Sequence, residues 1–310
     1  MSLAIELSAV VVTVKNNEAF VLCLNLPTTP ALALPSGPFA PQSHRTFDLA
    51  LRAFVREQTG FDIGYVEQLY SFGDEGRETM TGPGGDRVIS VGYLALTPDS
   101  DFKARINAAW VSFHRFFPWE DWRSKDPKTT ETNGALDALR PALHDWIIQY
   151  DSDLRRSRVE TLFPSNFDNW NEERVLDRYE LLYEARIIAE ALRQVDGVPN
   201  PQGGEPMASD HRRIVATALS RLRGKLKYRP VIFELMPAQF TLLELQKSLE
   251  ALSGVRLHKQ NFRRALERTG FVEPLGIVRE DTGGRPAELY TYSRDQFRFS
   301  PSSGLSLPRA

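Results

Sequence analysis

The stretch from residue 230 to residue 292 constrains the fold most, because it carries a complete set of local start and stop signals. Thr241, followed three residues later by Glu244, is typical of a capping box at the start of a helix. Leucines then recur at helical spacing until Gly254, which marks the end of that helix.

The second half of this stretch predicts another helix and a hairpin. Helical periodicity covers 258–269, and Gly270 ends it. Two short apolar-rich runs follow at 275–278 and 287–292, separated by a charged, glycine-bearing segment that is typical of a β-hairpin tip. Helix, turn, helix and hairpin is the order of elements in a winged helix.

The polar side chains of the second helix are those that DNA reading requires. Arginine can donate a fork of hydrogen bonds to guanine, glutamine and asparagine can pair with adenine, and lysine holds phosphate. Glycine at the hairpin tip lets the backbone approach DNA closely. The alternative interpretation is an ordinary solvated basic helix face. The predicted DNA-binding residues are Thr241, Lys259, Gln260, Asn261, Arg263, Arg264, Gly284 and Arg285.

The charges are distributed unevenly along the chain. Of the 38 lysine and arginine residues, 18 lie from His211 onward and 20 before it, whereas the 40 acidic residues divide as 9 and 31. The net charge of −2 therefore conceals a basic C-terminal part and an acidic N-terminal part. A basic part that carries a helix-turn-helix pattern suits double-stranded DNA as a partner.

Length and composition favour two domains in a globular chain of 310 residues. No apolar run approaches the roughly 20 residues of a membrane span, and no signal-peptide pattern is present. We therefore expect a cytoplasmic protein without a membrane partner. The single cysteine, Cys23, lies in a strand-like run and is expected to pack, and the five histidines lack metal-site spacing.

The N-terminal part alternates strand and helix signals. Two strands joined by a hairpin are predicted within 4–26, a helix over 46–59, and further strands over 65–72, 88–97 and 109–116. A mixed sheet with an inserted helix predicts an α/β sandwich.

The segment from Gly37 to Phe61 resembles a damaged Nudix box, the loop-helix-loop motif of diphosphate hydrolases. Aligned on Gly60, the paired glutamates of the motif fall on Glu57 and Gln58, and its earlier Arg-Glu pair falls on Ala53 and Phe54. The hydrolases use several carboxylates to hold Mg²⁺ against a diphosphate. The resemblance therefore implies the fold without catalytic or metal-binding residues, and without a required cofactor.

A degenerate Nudix domain followed by a winged helix resembles the Nudix-related (NrtR-like) transcriptional regulators of bacterial NAD metabolism. The likeness is carried by GGDRVISVGYLAL at 84–96, by 210–246, and by HKQNFRRALERTGFVEP with GGRPAELY beyond it. It implies a repressor that binds a palindromic operator as a homodimer and responds to a nucleotide effector: ADP-ribose, NAD, ATP or ADP. The ligand-binding residues implied by the resemblance are Gly37, Glu57, Asp74, Arg77, Asp86 and Arg87.

A helical insert makes this chain similar to the long form of the family, seen among alphaproteobacterial NAD-biosynthesis repressors. Helices are predicted over 135–150 and 172–194, followed by a Pro- and Gly-rich linker. The predicted division is a Nudix-like ligand-sensing domain at 1–122, the insert and linker at 123–208, a winged-helix DNA-binding domain at 209–299 and a disordered tail at 300–310.

Two points stay open at this stage. Asp210 or Ser209 is expected to cap a connecting helix that runs to about Leu226, and its six basic residues could contact phosphate or simply be solvated: Arg212, Arg213, Arg221, Arg223, Lys225 and Lys227. The alternative function is a Nudix-type pyrophosphatase acting on ADP-ribose or a related diphosphate.

Overall fold

The structure is a computed structural model that describes residues 3–27, 30–73, 87–98, 107–123, 134–150, 152–193, 203–280 and 286–293. Among these residues no helix is both long and apolar enough to cross a membrane. The predicted tail at 300–310 and the loop at 74–86 lie outside the described residues.

A seven-stranded mixed sheet forms the N-terminal part. Its strand order is β3-β2-β1-β6-β5, with β4 also pairing with β1 and β7 with β2. The central strand β1 is parallel to β6 and antiparallel to β2 and β4. The strands are β1 (Leu3–Lys15), β2 (Glu18–Asn25), β3 (Leu32–Ala33), β4 (Ser36–Pro38), β5 (Tyr65–Phe72), β6 (Arg87–Leu96) and β7 (Ala108–Ser112).

The β1–β2 hairpin turns at two asparagines. Asn16 and Asn17 have φ of 51° and 61°, the left-handed conformation that a two-residue hairpin turn requires and that asparagine tolerates better than most residues. The predicted hairpin is thus confirmed at the predicted position.

Each face of the sheet is covered by a separate layer, because successive side chains along β1 point to opposite faces. Leu7, Ala9 and Val11 pack with helix α1 (Phe47–Thr59). Val10 and Val12 face the opposite way, into a larger core shared with the helices from the rest of the chain. The predicted α/β sandwich is confirmed, and α1 begins and ends as expected, with Thr46 as N-cap and Gly60 at φ 80°.

The insert differs from the prediction in its second helix. It contains α3 (Gly134–Tyr150), α4 (Asp153–Leu162) and α5 (Val175–Glu184). The predicted helix over 172–194 is wrong beyond Glu184, because Arg186 adopts a left-handed φ of 55° and only a 3₁₀ turn, Ala189–Leu192, follows. Helix α4 was not predicted because its sequence, DLRRSRVETL, shows almost no apolar stripe.

One further difference lies at the end of the sheet. The strand predicted over 109–116 stops at Ser112, whose hydroxyl accepts a hydrogen bond from the His114 backbone N–H (3.2 Å) and caps the short helix α2 (Phe113–Phe116). The chain then forms a 3₁₀ turn, Pro118–Glu120.

Helix α6 (His211–Tyr228) lies across the sheet rather than apart from it, contacting β1, β5 and β6. Gly92 on β6 permits this close approach, because a Cβ there would lie 3.0 Å from the Ile214 side chain. Ile214, Val215 and Leu222 are fully buried. The connecting helix is therefore an integral layer of the N-terminal fold.

The predicted winged helix is confirmed, although its first hairpin strand runs over Val272–Arg279 instead of 275–278 and strand β8 was not predicted. It consists of β8 (Phe240–Thr241), α7 (Leu242–Ser253), α8 (Lys259–Thr269), β9 (Val272–Arg279) and β10 (Ala287–Tyr292), with a three-stranded sheet in the order β8-β10-β9. Helix α7 also packs on β1 and β2, and its Leu245 and Leu249 belong to the same core as Val10 and Val12. The two parts of the chain thus share one continuous core.

The capping box of α7 provides the first testable prediction. The Thr241 hydroxyl accepts a hydrogen bond from the Glu244 N–H (3.1 Å), and the Glu244 carboxylate accepts one from the Thr241 N–H (2.7 Å). Thr241→Ala should lower the free energy of unfolding by about 1 kcal/mol, measured by chemical denaturation. Thr241→Ser keeps the acceptor and should lose much less. Equal losses would instead indicate that the Thr241 methyl group, not the cap, stabilises the helix.

Candidate DNA interface and effector site

Helix α8 presents the predicted recognition residues to solvent. Its apolar side, Phe262, Ala265 and Leu266, is buried against the winged-helix core. The opposite side exposes all five predicted contact residues: Lys259, Gln260, Asn261, Arg263 and Arg264. His258 caps the helix, its Nδ1 accepting from the Asn261 N–H (3.4 Å).

A groove with a volume of about 530 Å³ lies between α7, α8 and β10. Lys259 and Arg263 line one wall, and Glu288 and Tyr290 of β10 line the other. Apolar side chains from the start of α7 complete it, including Leu243, which is 57% exposed. The groove therefore combines cationic donors with apolar surface, as contacts to phosphates, base edges and thymine methyl groups require.

The three other predicted DNA-binding residues are not seen on this exposed face. Thr241 lines the groove but is buried, and its hydroxyl is used by the capping box. Gly284 and Arg285 lie outside the described residues.

Four of the six basic residues of α6 are buried or half-buried in contacts within the protein, so neither alternative from the sequence describes them, whereas Arg221 and Lys227 are exposed. Arg212 and Arg223 are fully buried. Lys225 and Arg221 pair with Glu67 on β5, and the remaining two pair with carboxylates of the insert: Arg213 with Glu180, and Lys227 with Glu172 and Glu173. Asp210 is the N-cap residue but makes no side-chain capping bond; its carboxylate pairs with Arg213 (3.4 Å).

The Nudix-box region is filled by a phenyl ring and an amide. A Cβ at Gly37 would lie 2.8 Å from the ring of Phe54, so this ring covers the glycine. Gln58 bridges the Ser36 backbone, accepting from its N–H (3.0 Å) and donating to its carbonyl (2.6 Å). Ala53 and Glu57 are exposed.

Among the described residues, the acidic side chains around the box form no group of three with metal-like spacing. The other acidic residues near the box, Asp48 and Asp62, pair with Arg52 and Arg56 of the same helix. A catalytic Mg²⁺ requires convergent carboxylates, and a phenyl ring and a neutral amide supply none at the two motif positions they occupy.

Within the described ranges, one group of side chains has metal-like spacing, Glu18, His114 and Asp121, whose ligand atoms lie within 4.8 Å of one another. The guanidinium of Arg123 already supplies the positive charge there: its Nη2 donates to Glu18 (2.6 Å) and Asp121 (2.8 Å). Burial acts to raise the pKa of Glu18, but its hydrogen bonds from His114, Arg123 and Ser112 lower it to about 2. This cluster is an ion-pair network centred on arginine.

Two of the predicted ligand-binding residues flank the same strand. Gly37 on β4 is in register with Leu7 of β1, and Arg87 at the start of β6 is in register with Leu3. Arg87 is exposed and donates to the Gly73 carbonyl (2.8 Å). Three further candidates, Asp74, Arg77 and Asp86, lie outside the described residues.

A buried ion cluster that the sequence analysis missed joins four segments. The Glu120 carboxylate accepts from Arg178 Nε (2.6 Å) and Nη2 (2.8 Å), and from Arg223 Nη1 (2.6 Å). Arg223 Nε also donates to the Leu252 carbonyl at the end of α7 (2.8 Å), and Arg178 stacks 3.9 Å above the Trp170 ring. The side chain of Glu120 is 0% exposed and those of both arginines 1%.

The charges in this cluster compensate one another. Burial acts to raise the pKa of Glu120, but Arg178 and Arg223 outweigh it and hold that pKa below its ordinary value. Each arginine also bonds to backbone carbonyls, Arg178 to Asn171 (3.0 Å) and Arg223 to Glu172 (3.0 Å). Such additional bonds are what a buried ion cluster requires to offset desolvation.

Comparison with known proteins agrees with this architecture. Residues 232–292 match the family model of the NrtR DNA-binding winged helix domain. A curated relative, the ADPR responsive transcriptional repressor NtrR of Acinetobacter baylyi, is 36% identical over 103 residues, which cover 33% of this chain and 41% of that protein. The match therefore spans less than half of the relative's length.

Three solved structures share the fold over nearly the whole chain. Shewanella oneidensis NrtR matches with a TM-score of 0.57 and 19% identity over 99% of both chains, and its complex with a 27mer DNA matches with a TM-score of 0.55 and 19% identity over 98% of both. A MutT/nudix family protein from Enterococcus faecalis matches with a TM-score of 0.54 and 17% identity over 94% of this chain and 87% of that one. The predicted fold, a Nudix-like domain followed by a winged helix, is confirmed.

Proposed function

We propose that this chain, whose C-terminal domain is an NrtR-type winged helix domain, is a transcriptional repressor of NAD-metabolism genes that senses an NAD-related nucleotide and acts in the cytoplasm. The observation that carries the proposal is the exposed face of α8. Within a domain that matches the NrtR model, Arg263 and Arg264 stand beside Gln260 and Asn261 on a solvent-facing surface next to the groove between α7, α8 and β10. Packing requires no such combination, whereas base reading does.

The proposed effector is ADP-ribose, with NAD, ATP and ADP as the other compounds to test. Support comes from the curated relative, which is described as ADPR responsive, and from the Nudix-like fold. The proposed site includes Gly37, Glu57 and Arg87 together with Asp74, Arg77 and Asp86. We propose binding without turnover, because the sequence alignment assigns Phe54 and Gln58 to motif positions at which a metal-dependent hydrolase needs carboxylates.

We propose a homodimer on a palindromic operator because one winged-helix domain is small. One helix in one major groove contacts a single half-site, so tight specific binding requires two copies whose half-site centres lie about 10 base pairs, or a multiple of that, apart. Light scattering that detects only monomer, free and on DNA, would contradict this part of the proposal.

A binding assay tests the proposed function directly. Duplexes selected by the full-length protein from a random library, and duplexes from upstream of NAD-biosynthesis genes, are titrated by fluorescence anisotropy with and without each nucleotide. We expect specific binding that weakens steeply with salt, because several phosphates are neutralised. We also expect one nucleotide to change the operator affinity by about 5- to 150-fold.

The enzymatic alternative is tested in parallel. The protein is incubated with ADP-ribose, NAD or ATP and Mg²⁺, and products are followed by chromatography. Turnover of order 1 per second or faster would favour a pyrophosphatase. If the protein selects no duplex from the random library, with or without any of the nucleotides, the proposed repressor function is wrong.

A further inference from the structure

The turn between α7 and α8 is held directly by the end of the Nudix-like part of the chain. The Trp122 N–H donates to the Gly254 carbonyl (2.7 Å), and Arg223 Nε donates to the Leu252 carbonyl (2.8 Å). Gly254 has a left-handed φ of 73°, and a Cβ there would collide with the Glu120 carbonyl oxygen. The last turn of α7 is thus fixed against residues 120–122.

A second contact holds the same turn two residues further on. Arg256 is exposed, and its Nε donates to the backbone carbonyl of Arg123. Only Leu257 and His258 separate it from Lys259, the first residue of α8. Arg256 therefore links the backbone of Arg123 to the start of the recognition helix across two intervening residues.

Arg123 is itself held by the β1–β2 hairpin. Its guanidinium bonds to Glu18 (2.6 Å), to both oxygens of Asp121 (2.8 Å each) and to the Asn17 carbonyl. The Glu18 and Asp121 side chains are 27% and 28% exposed, so this network borders solvent. By contrast, the Glu120 cluster is fully buried.

Strand β1 connects this hairpin to the proposed effector site. Its first half pairs with β4 and β6 next to Gly37 and Arg87, and its last residue, Lys15, pairs with Glu18. Leu7 and Lys15 are eight residues apart, a distance of about 26 Å along an extended strand. Strand β1 pairs with β6 over 3–12 and with β2 over 12–15, so sheet pairing links its two ends without a break.

From this geometry we propose that Arg256 is a positioning residue through which the effector state of the Nudix-like domain controls the recognition helix. The path runs from the effector site along β1 to the hairpin at Asn17 and Glu18, then to Arg123 and Arg256. This inference rests on the proposed function, since it presupposes an effector-responsive DNA reader. It differs from transmission through α6, whose polar residues are tied to β5, the insert and the buried clusters.

The test measures the coupling between two ligands rather than the affinity for either one. Full-length wild type, Arg256→Ala, Arg256→Lys and the control Arg268→Ala are titrated with a selected duplex, with and without saturating ADP-ribose. Arg268 is an exposed arginine in the last turn of α8, so Arg268→Ala removes the same charge from another position in the winged-helix domain. Calorimetry without DNA gives the ADP-ribose affinity, and denaturation gives the stability.

We expect Arg256→Ala to reduce the ADP-ribose-dependent change in duplex affinity by about 2- to 30-fold, the range for residues along a coupling network. The ADP-ribose affinity measured without DNA should stay within about twofold of wild type. The equilibrium constant for unfolding should also stay within about twofold, as for other surface substitutions. Arg256→Lys, which can still donate to the Arg123 carbonyl, should retain most of the coupling, and Arg268→Ala should retain all of it.

The outcomes separate the two proposals. If Arg256→Ala weakens duplex binding equally with and without ADP-ribose, Arg256 is a phosphate contact or a structural residue, and the inference fails while the proposed function stands. The inference also fails if Arg268→Ala reduces the coupling as much as Arg256→Ala does. If wild type itself shows no ADP-ribose-dependent change, both the inference and the effector assignment are wrong.

Discussion

Replacing Glu120 by alanine should lower the free energy of unfolding by about 3–5 kcal/mol, the cost of breaking a buried ion cluster by removing one partner. Within the described part of the chain, the Glu120 carboxylate accepts hydrogen bonds from the buried guanidiniums of both Arg178 and Arg223. Its loss would remove the counter-charge that bonds directly to both buried guanidiniums, while their bonds to the Asn171 and Glu172 carbonyls would remain. Chemical denaturation of the full-length protein measures the effect.

A matched control comes from an ion pair at the surface of the insert. Glu184 pairs with Arg158 at 2.7 Å, and both side chains are more than one third exposed. Glu184→Ala should cost at most about 1 kcal/mol, as surface pairs do. If Glu120→Ala costs no more than Glu184→Ala, the cluster does not stabilise the joint between the two parts of the chain.

A second variant distinguishes a charge effect from a packing effect. Glu120→Gln retains the shape of the side chain and removes its charge, so it should still destabilise strongly if the arginines need a counter-charge. If Glu120→Gln is nearly neutral while Glu120→Ala is severe, the main contribution of Glu120 is volume and hydrogen bonding.

Short-range signals explain why the winged-helix domain could be predicted from the sequence. The capping box, the glycine stops and the periodicity of α7 and α8 each depend on residues within about one or two helical turns. Thr241 and Glu244 therefore behave as predicted, and Gly254 and Gly270 end their helices in left-handed conformations. The exposed face of α8 follows from the same periodicity.

Long-range pairing explains what could not be predicted. Arg223 bonds to Glu120, 103 residues earlier in the chain, and Arg178 bonds to it across 58 residues. The residues next to Arg223 in the sequence do not distinguish it from a solvated arginine on α6. The charge pattern of that helix therefore suggested side chains at the protein surface. The same applies to Phe54, whose ring covers a glycine 17 positions earlier in the sequence; the alignment indicated a missing carboxylate but not what fills the space.

The second large effect is expected at the recognition helix. Arg264→Ala should lower the affinity for a selected duplex by about 5- to 150-fold, since a good base contact contributes about 1–3 kcal/mol of discrimination. Arg264 is exposed on the same face as Gln260 and Asn261, and a guanidinium there can reach guanine in the major groove. Affinity for an unrelated duplex should fall far less, because phosphate contacts dominate non-specific binding.

Selectivity is therefore the quantity that decides the role of Arg264. Anisotropy titrations of wild type, Arg264→Ala and Arg268→Ala on selected and scrambled duplexes give the ratio of specific to non-specific affinity at a fixed salt concentration. Arg264→Ala should reduce this ratio, whereas Arg268→Ala, in the last turn of the same helix, should leave it unchanged. Repeating the selection with Arg264→Ala should relax the preference at one base position of each half-site. If the mutant instead loses affinity equally for both duplexes, Arg264 binds phosphate, and the bases are read by Gln260, Asn261 or Arg263.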